Sequence, residues 1–142
     1  MEEIKISEVE SREKSSGLQF FEGHVQAGFP SPAQNEYADT IDLNRALISN
    51  PAATFCARVI GDSMVDAGIN QGDMLIIDRS LTPRDGSIAV CFIDGDFTVK
   101  RLSVRDDGVY LTPANANYPE IMVGQESSFQ VWGVVSHIIK KV

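Results

Sequence analysis

The feature that most narrows the fold is a series of β-forming segments divided by tight-turn residues in the second half of the chain. "SIAVCFI" (87–93) and "FTVKRLSV" (97–104) flank "DGD" at 94–96. An Asp-Gly pair between two apolar runs is a strong short-range hairpin signal. "DDG" at 106–108 marks a second hairpin, into "VYLTP". Upstream, "ATFCARVIG" (53–61) alternates and is rich in β formers, and "DMLIID" (73–78) is a short apolar run bounded by turn residues. "FQVWGVVSHIIKKV" (129–142) reads as a long final strand bent near Gly133. Short strands with regular turns predict a mainly β chain that closes into a compact, partly closed antiparallel barrel.

The first 40 residues differ. Residues 1–24 mix charge with Ser and Gly, and residues 25–39 carry Pro30 and Pro32 among polar residues. We expect an extended, flexible arm over 1–40 with little core of its own, and an all-β domain over 41–142. At the join, Asp42 can cap a short helix whose apolar face is Leu43, Ala46 and Leu47. Asn50–Pro51 ends it, because the residue before proline is driven out of the α region.

A chain of 142 residues with 43% hydrophobic composition suits one domain with a real core. No run approaches 18 apolar residues, which argues against a membrane helix. The charged start "MEEIKISEVESREK" lacks the apolar region of a signal peptide, so the expectation is a soluble cytoplasmic protein. The net charge of −8 disfavours direct binding to a phosphate backbone, which relies on Lys and Arg. Cys56 and Cys91 match no zinc or redox spacing and read as buried free thiols.

Two residues stand out chemically. Ser63, in "VIGDSMVDAGINQGD", sits where a strand gives way to a turn or short helix. Such a place exposes a hydroxyl and turns backbone N–H groups outward. An N-cap role for Asp62 or Ser63 accounts for the same residues. In "DFTVKRLSV", strand alternation puts Thr98, Lys100 and Leu102 on one face and Phe97 and Val99 on the other. A lysine between Thr and Leu is open to desolvation, which favours the neutral amine, and a neutral amine can act as general base toward a serine. A solvated lysine beside Arg101 is the plainer alternative. His24 lies in the arm and His137 among apolar neighbours in the last strand, so neither offers an obvious base. No metal, cofactor or nucleotide motif is present in the sequence.

"GDSM" at 61–64, with a lysine 37 residues further on inside "DGDFTVKRL", resembles the LexA/UmuD family of self-cleaving serine–lysine peptidases of the SOS response. The stretch "QAGFPSPAQNEYADTIDLNRALISNPAATF" resembles the UmuD branch more closely than LexA, and the likeness continues through "PANANYPEIMV" to "VWGVVSHIIKKV". The resemblance implies the family's all-β peptidase fold, Ser63 as nucleophile and Lys100 as general base. It implies self-cleavage at Ala27–Gly28, with Ala in a position where some UmuD proteins carry Cys. Backbone N–H groups of Ser63 and Met64 would hold the oxyanion, and Thr98 would orient the Lys100 amine. In an extended segment, Ala27 would fill a small pocket and Gly28 would let the backbone approach closely. Pro30 and Pro32 would end strand pairing just past the bond. No cofactor or metal is implied.

The implied partners are a second copy of the chain in a homodimer, the RecA–single-stranded DNA filament that promotes cleavage, and a UmuC-type Y-family polymerase for translesion synthesis. Sequence-specific DNA contact is not expected, since a 27-residue arm is too short for a helix-turn-helix domain. The apolar run "FQVWGVVSHII" is a candidate pairing surface, or else ordinary core. Two other readings are a trans-acting peptidase of the signal-peptidase kind and a non-cleaving LexA-like binding module or truncated regulator.

Overall fold

A computed structural model describes residues 4–8, 18–21, 25, 27–28, 37–124 and 128–142. Its elements are β1 (Ile4–Glu8), β2 (Leu18–Phe21), β3 (Tyr37–Ile41), α1 (Leu43–Leu47), β4 (Thr54–Val59), β5 (Met74–Asp78), β6 (Ile88–Ile93), β7 (Asp96–Arg105), β8 (Gly108–Thr112), β9 (Ile121–Met122) and β10 (Phe129–Ile139). The chain forms two compact units. One comprises Met1–Glu10 with Asn50–Val142, the other Ser11–Ser49. His24, Gln26, Phe29, Pro30 and Pro32 lie outside the described residues.

The smaller unit pairs β2 with β3 antiparallel, Leu18 opposite Ile41. Helix α1 follows, and the Asp42 side chain accepts the Asn44 amide at 3.0 Å, the capping expected of it. The helix stops before Asn50–Pro51, as expected, but none of its residues is buried, so its apolar stripe builds no core.

The larger unit is an eight-stranded sheet in the order β1-β4-β5-β10-β6-β7-β8-β9, antiparallel throughout. Both expected hairpins are present. Asp94 and Gly95 join β6 to β7 with φ of 48° and 89°, the left-handed pair that matches strand twist. The sheet curls on itself. Ile4 of β1, Ala57 and Val59 of β4, Leu75 and Ile77 of β5, Val90 of β6 and Val99 of β7 share one core, although four strands separate β1 from β7 in the sheet. A second, smaller cluster of Ala89, Cys91, Leu102 and Leu111 packs on the other face of β6–β8. This is the mainly β, partly closed barrel that the turn spacing predicts.

Strand β10 links the two halves by changing partner. Phe129–Val134 pair with β6 and Val134–Ile139 with β5, with register shifts after Val131 and after Val135. One register shift falls beside Gly133, where the bend was expected, and there is no room for a side chain at that position. A Cβ at Gly133 would lie 2.6 Å from Cγ2 of Ile77.

The units divide elsewhere than at the expected boundary of residue 40. Residues Ile4–Glu8 pair with β4, Ile4 opposite Val59 and Glu8 opposite Phe55, and Ile4 is only 3% exposed. The signal was short: Ile4 and Ile6 alternate with Lys5 and Ser7 inside a charged stretch. No helix among the described residues is long and apolar enough to cross a membrane.

Candidate active site

The loop from β4 to β5 is closed at its neck by the sheet. The Val59 amide donates to the Asp73 carbonyl and the Gly72 amide to the Val59 carbonyl, both at 2.9 Å. Gly61 turns the chain out of the strand with φ of 97°, a conformation that disfavours any side chain. Met64 and Ile69, 2% and 0% exposed, plug the loop into the core. Between them Val65–Ala67 form a single 3₁₀ turn. This is the strand-to-turn setting expected for Ser63, but the capping alternative does not describe it. Met64 is the N-cap and uses no side-chain bond, while Asp62 bonds elsewhere.

Ser63 is buried, and so are Lys100 and Thr98 on β7. Lys100 lies opposite Ala89, and Thr98 opposite Cys91. The Lys100 Nζ donates to Ser63 Oγ at 3.2 Å, to Thr98 Oγ1 at 2.6 Å and to the Val99 carbonyl at 3.1 Å. The solvated lysine alternative is thereby excluded. Burial pushes the neighbouring Cys91 thiol up to about 12, against a smaller opposing effect of the Lys100 charge. It is therefore a poor nucleophile, although it lies across from Thr98. Cys56 is only half-buried, so the expectation of two buried thiols holds for Cys91 alone.

An apolar recess of about 10 Å³ opens beside Ser63, lined by Val59, Ile60, Met64, Ile69 and Val99. The outer side of the Ser63 loop is held by the β8–β9 connection. Asn115 Nδ2 donates to the Asp62 carbonyl at 2.9 Å, Tyr118 Oη donates to Asp62 Oδ1 at 2.6 Å, and the Asp66 amide donates to the Ala114 carbonyl at 2.8 Å. At the loop's base, Lys140 pairs with the buried Asp73 and donates to Asn70 Oδ1 at 2.9 Å. Burial raises the Asp73 carboxyl, but the Lys140 and Asn70 hydrogen bonds outweigh it, so the group ends below its ordinary value. Sequence reasoning missed Asn115, Tyr118, Asp73 and Lys140. Each acts across at least 50 residues of chain, and only "PANANY", singled out without a role, hinted at the first two.

Ala27 and Gly28 are exposed, in the smaller unit. The chain bends there, and Gly28 has φ of 112°. That is a conformation open to glycine and to few other residues. His137 bonds its neighbour Ser136 at 2.9 Å.

A serine hydroxyl within reach of a buried lysine amine, beside a small apolar recess, is equipped for acyl transfer. Residues 19–136 match the family described as Peptidase S24-like. The chain belongs to the S24-like peptidases. Among relatives, it is 38% identical to Protein MucA of Salmonella typhimurium over 135 residues, which cover 94% of this chain and 92% of MucA. It is 43% identical to Protein ImpA of Shigella flexneri over 121 residues, 85% of this chain and 82% of ImpA. It is 37% identical to the LexA repressor of Sorangium cellulosum over 123 residues, 84% of this chain but 53% of that repressor. The S24-like match spans Ser63, Lys100 and Ala27–Gly28.

Proposed function

We propose that this S24-like chain cuts its own Ala27–Gly28 bond. The observation that carries the reading is the 3.2 Å contact between Lys100 Nζ and Ser63 Oγ, both groups closed off from solvent. Ser63 Oγ attacks the Ala27 carbonyl carbon as its proton passes to the neutral Lys100 amine. The tetrahedral oxygen takes hydrogen bonds from the Ser63 and Met64 amides, each such donor contributing about 3 kcal/mol in sites of this kind. Collapse breaks the C–N bond, and Lys100 returns the proton to the Gly28 nitrogen. Water, deprotonated in turn by Lys100, then hydrolyses the Ser63 ester. Thr98 steadies the amine through the 2.6 Å bond. The recess beside Ser63 receives the Ala27 methyl group and is too small for a long side chain.

Cleavage leaves residues 28–142. Residues 1–27 hold six acidic and three basic side chains, so −3 of the net −8 departs. The shortened chain acts in the cytoplasm as a homodimer and an accessory subunit of a UmuC-type error-prone polymerase, after cleavage promoted by the RecA–single-stranded DNA filament. Two points support this branch of the family: the UmuD-like stretch from Gln26 onward, and an alignment that spans nearly all of MucA but about half of a LexA repressor.

The test is incubation of the purified chain at about pH 10, where a lysine is increasingly neutral, with intact-mass analysis. Loss of residues 1–27, abolished by Ser63→Ala and by Lys100→Ala, is expected. A chain that stays whole both there and with RecA filaments overturns the reading.

A further inference from the structure

The contacts on Asp62 do more than hold a loop. The Asp62 carbonyl and the Ser63 amide belong to one peptide unit, which is planar and trans, so its C=O and N–H point in opposite directions. Whatever grips the Asp62 oxygen therefore aims the Ser63 N–H. That oxygen accepts Asn115 Nδ2 at 2.9 Å and, more loosely, the Val65 amide at 3.3 Å. The Asp62 side chain is steadied separately by Tyr118 Oη at 2.6 Å. Just past Ser63, the Asp66 amide reaches the Ala114 carbonyl at 2.8 Å, so one short stretch grips the loop on both sides of the nucleophile.

That stretch is itself well held. Asn115 Oδ1 accepts the Asn117 amide at 2.9 Å, and the Asn115 carbonyl accepts the Tyr118 amide at 3.1 Å. Further on, Glu120 forms a two-pronged pair with Arg105 of β7, at 2.7 and 2.6 Å.

We infer that Asn115 is a positioning residue for the reaction: it aims the Ser63 amide at the oxygen of the peptide under attack, with Tyr118 steadying Asp62 beside it. The inference rests on the self-cleavage reading and extends it to a residue outside the serine–lysine pair. Asn115 bonds to the Asp62 carbonyl. It acts through the geometry of one peptide unit.

The test uses the full chain with Asn115→Ser. A serine can still accept the Asn117 amide in the local turn but is too short to reach the Asp62 oxygen. Release of fragment 28–142 is timed by intact mass across a pH series, beside the wild-type chain, and the melting temperature is recorded. The expected result is a rate lower by about tenfold or more, approaching the hundredfold of a lost oxyanion donor. The melting temperature stays near that of the wild type. The loss is the same at every pH, because Lys100 is untouched. A rate within about twofold of wild type, or a profile whose midpoint has moved, overturns the inference, since the latter means that Asn115 works on the proton-accepting amine. Should Asn115→Ser fail to fold, Tyr118→Phe decides: a uniform slowing of several-fold supports the inference and an unchanged rate overturns it. A wild-type chain that releases no fragment sinks the self-cleavage reading itself, and this inference with it.

Discussion

The loop that carries Ser63 and the segment that carries Ala27–Gly28 are built in opposite ways. The loop is shut at its neck by two backbone bonds, plugged into the core by Met64 and Ile69, and gripped from outside by Asn115 and Tyr118. Ala27 and Gly28 are exposed, and so is Val25 at 87%. A side chain built at Gly28 would meet nothing within 4 Å. The difference teaches where control resides on the self-cleavage reading. On that reading, the Ser63–Lys100 pair is set by the fold, and presentation of the exposed bond would be the step open to regulation.

Four substitutions probe that contrast. Ser63→Ala has the largest effect: release of fragment 28–142 falls by on the order of 10⁴-fold or more, with the melting temperature retained. Ala27→Leu changes only the delivered segment. With a recess of about 10 Å³ to receive the side chain, cleavage slows roughly 10- to 100-fold. Because Ala27 is exposed, thermal melting is unmoved, and equal cleavage of the two chains would show that the recess does not read residue 27. Asp73→Asn loosens the loop's base without touching the bond. Loss of the charged pairing with Lys140 costs about 1–3 kcal/mol of stability in denaturant titration. Asp73 titrates below its ordinary 3.8 in the folded chain, so its contribution is complete above that value. It fades as the pH drops through the lower folded value. The Asn variant should lack that acid-side loss. Glu120→Gln, at an exposed pair with Arg105, has the smallest effect and leaves the melting temperature unchanged within error.

Local signals made most of the fold legible. Asp94–Gly95 and Asp106–Asp107 announced their hairpins because a two-residue turn encodes strand pairing within a few positions. Ser63 and Lys100 were legible one at a time, as a serine at a strand end and a lysine among apolar neighbours. What joined them was the resemblance of "GDSM" and the spaced lysine to a known family, and the 3.2 Å contact then put the pair in one place. The rest depended on long-range packing. Asn115 and Tyr118 reach Asp62 across 53 and 56 residues, and Lys140 reaches Asp73 across 67. No local pattern marks such pairs. β1 was missed for a different reason: two isoleucines in a charged stretch form a strand only because the edge of β4 lies there to receive them.

That edge strand gives the proposed cut a second consequence. Ile4–Glu8 stand on the N-terminal side of Ala27–Gly28 yet pair with β4, far beyond it in sequence. In the whole chain the covalent connection makes their pairing with β4 intramolecular. Once the bond is broken, residues 1–27 are a separate peptide, and their hold on β4 becomes a bimolecular equilibrium set by dilution. The hold then consists of five residues paired with β4, one buried isoleucine contributing about 1.5–3 kcal/mol, and the pairing of β2 with β3. On the self-cleavage reading, scission of a single bond would thus make the cover on the β4 edge subject to dilution.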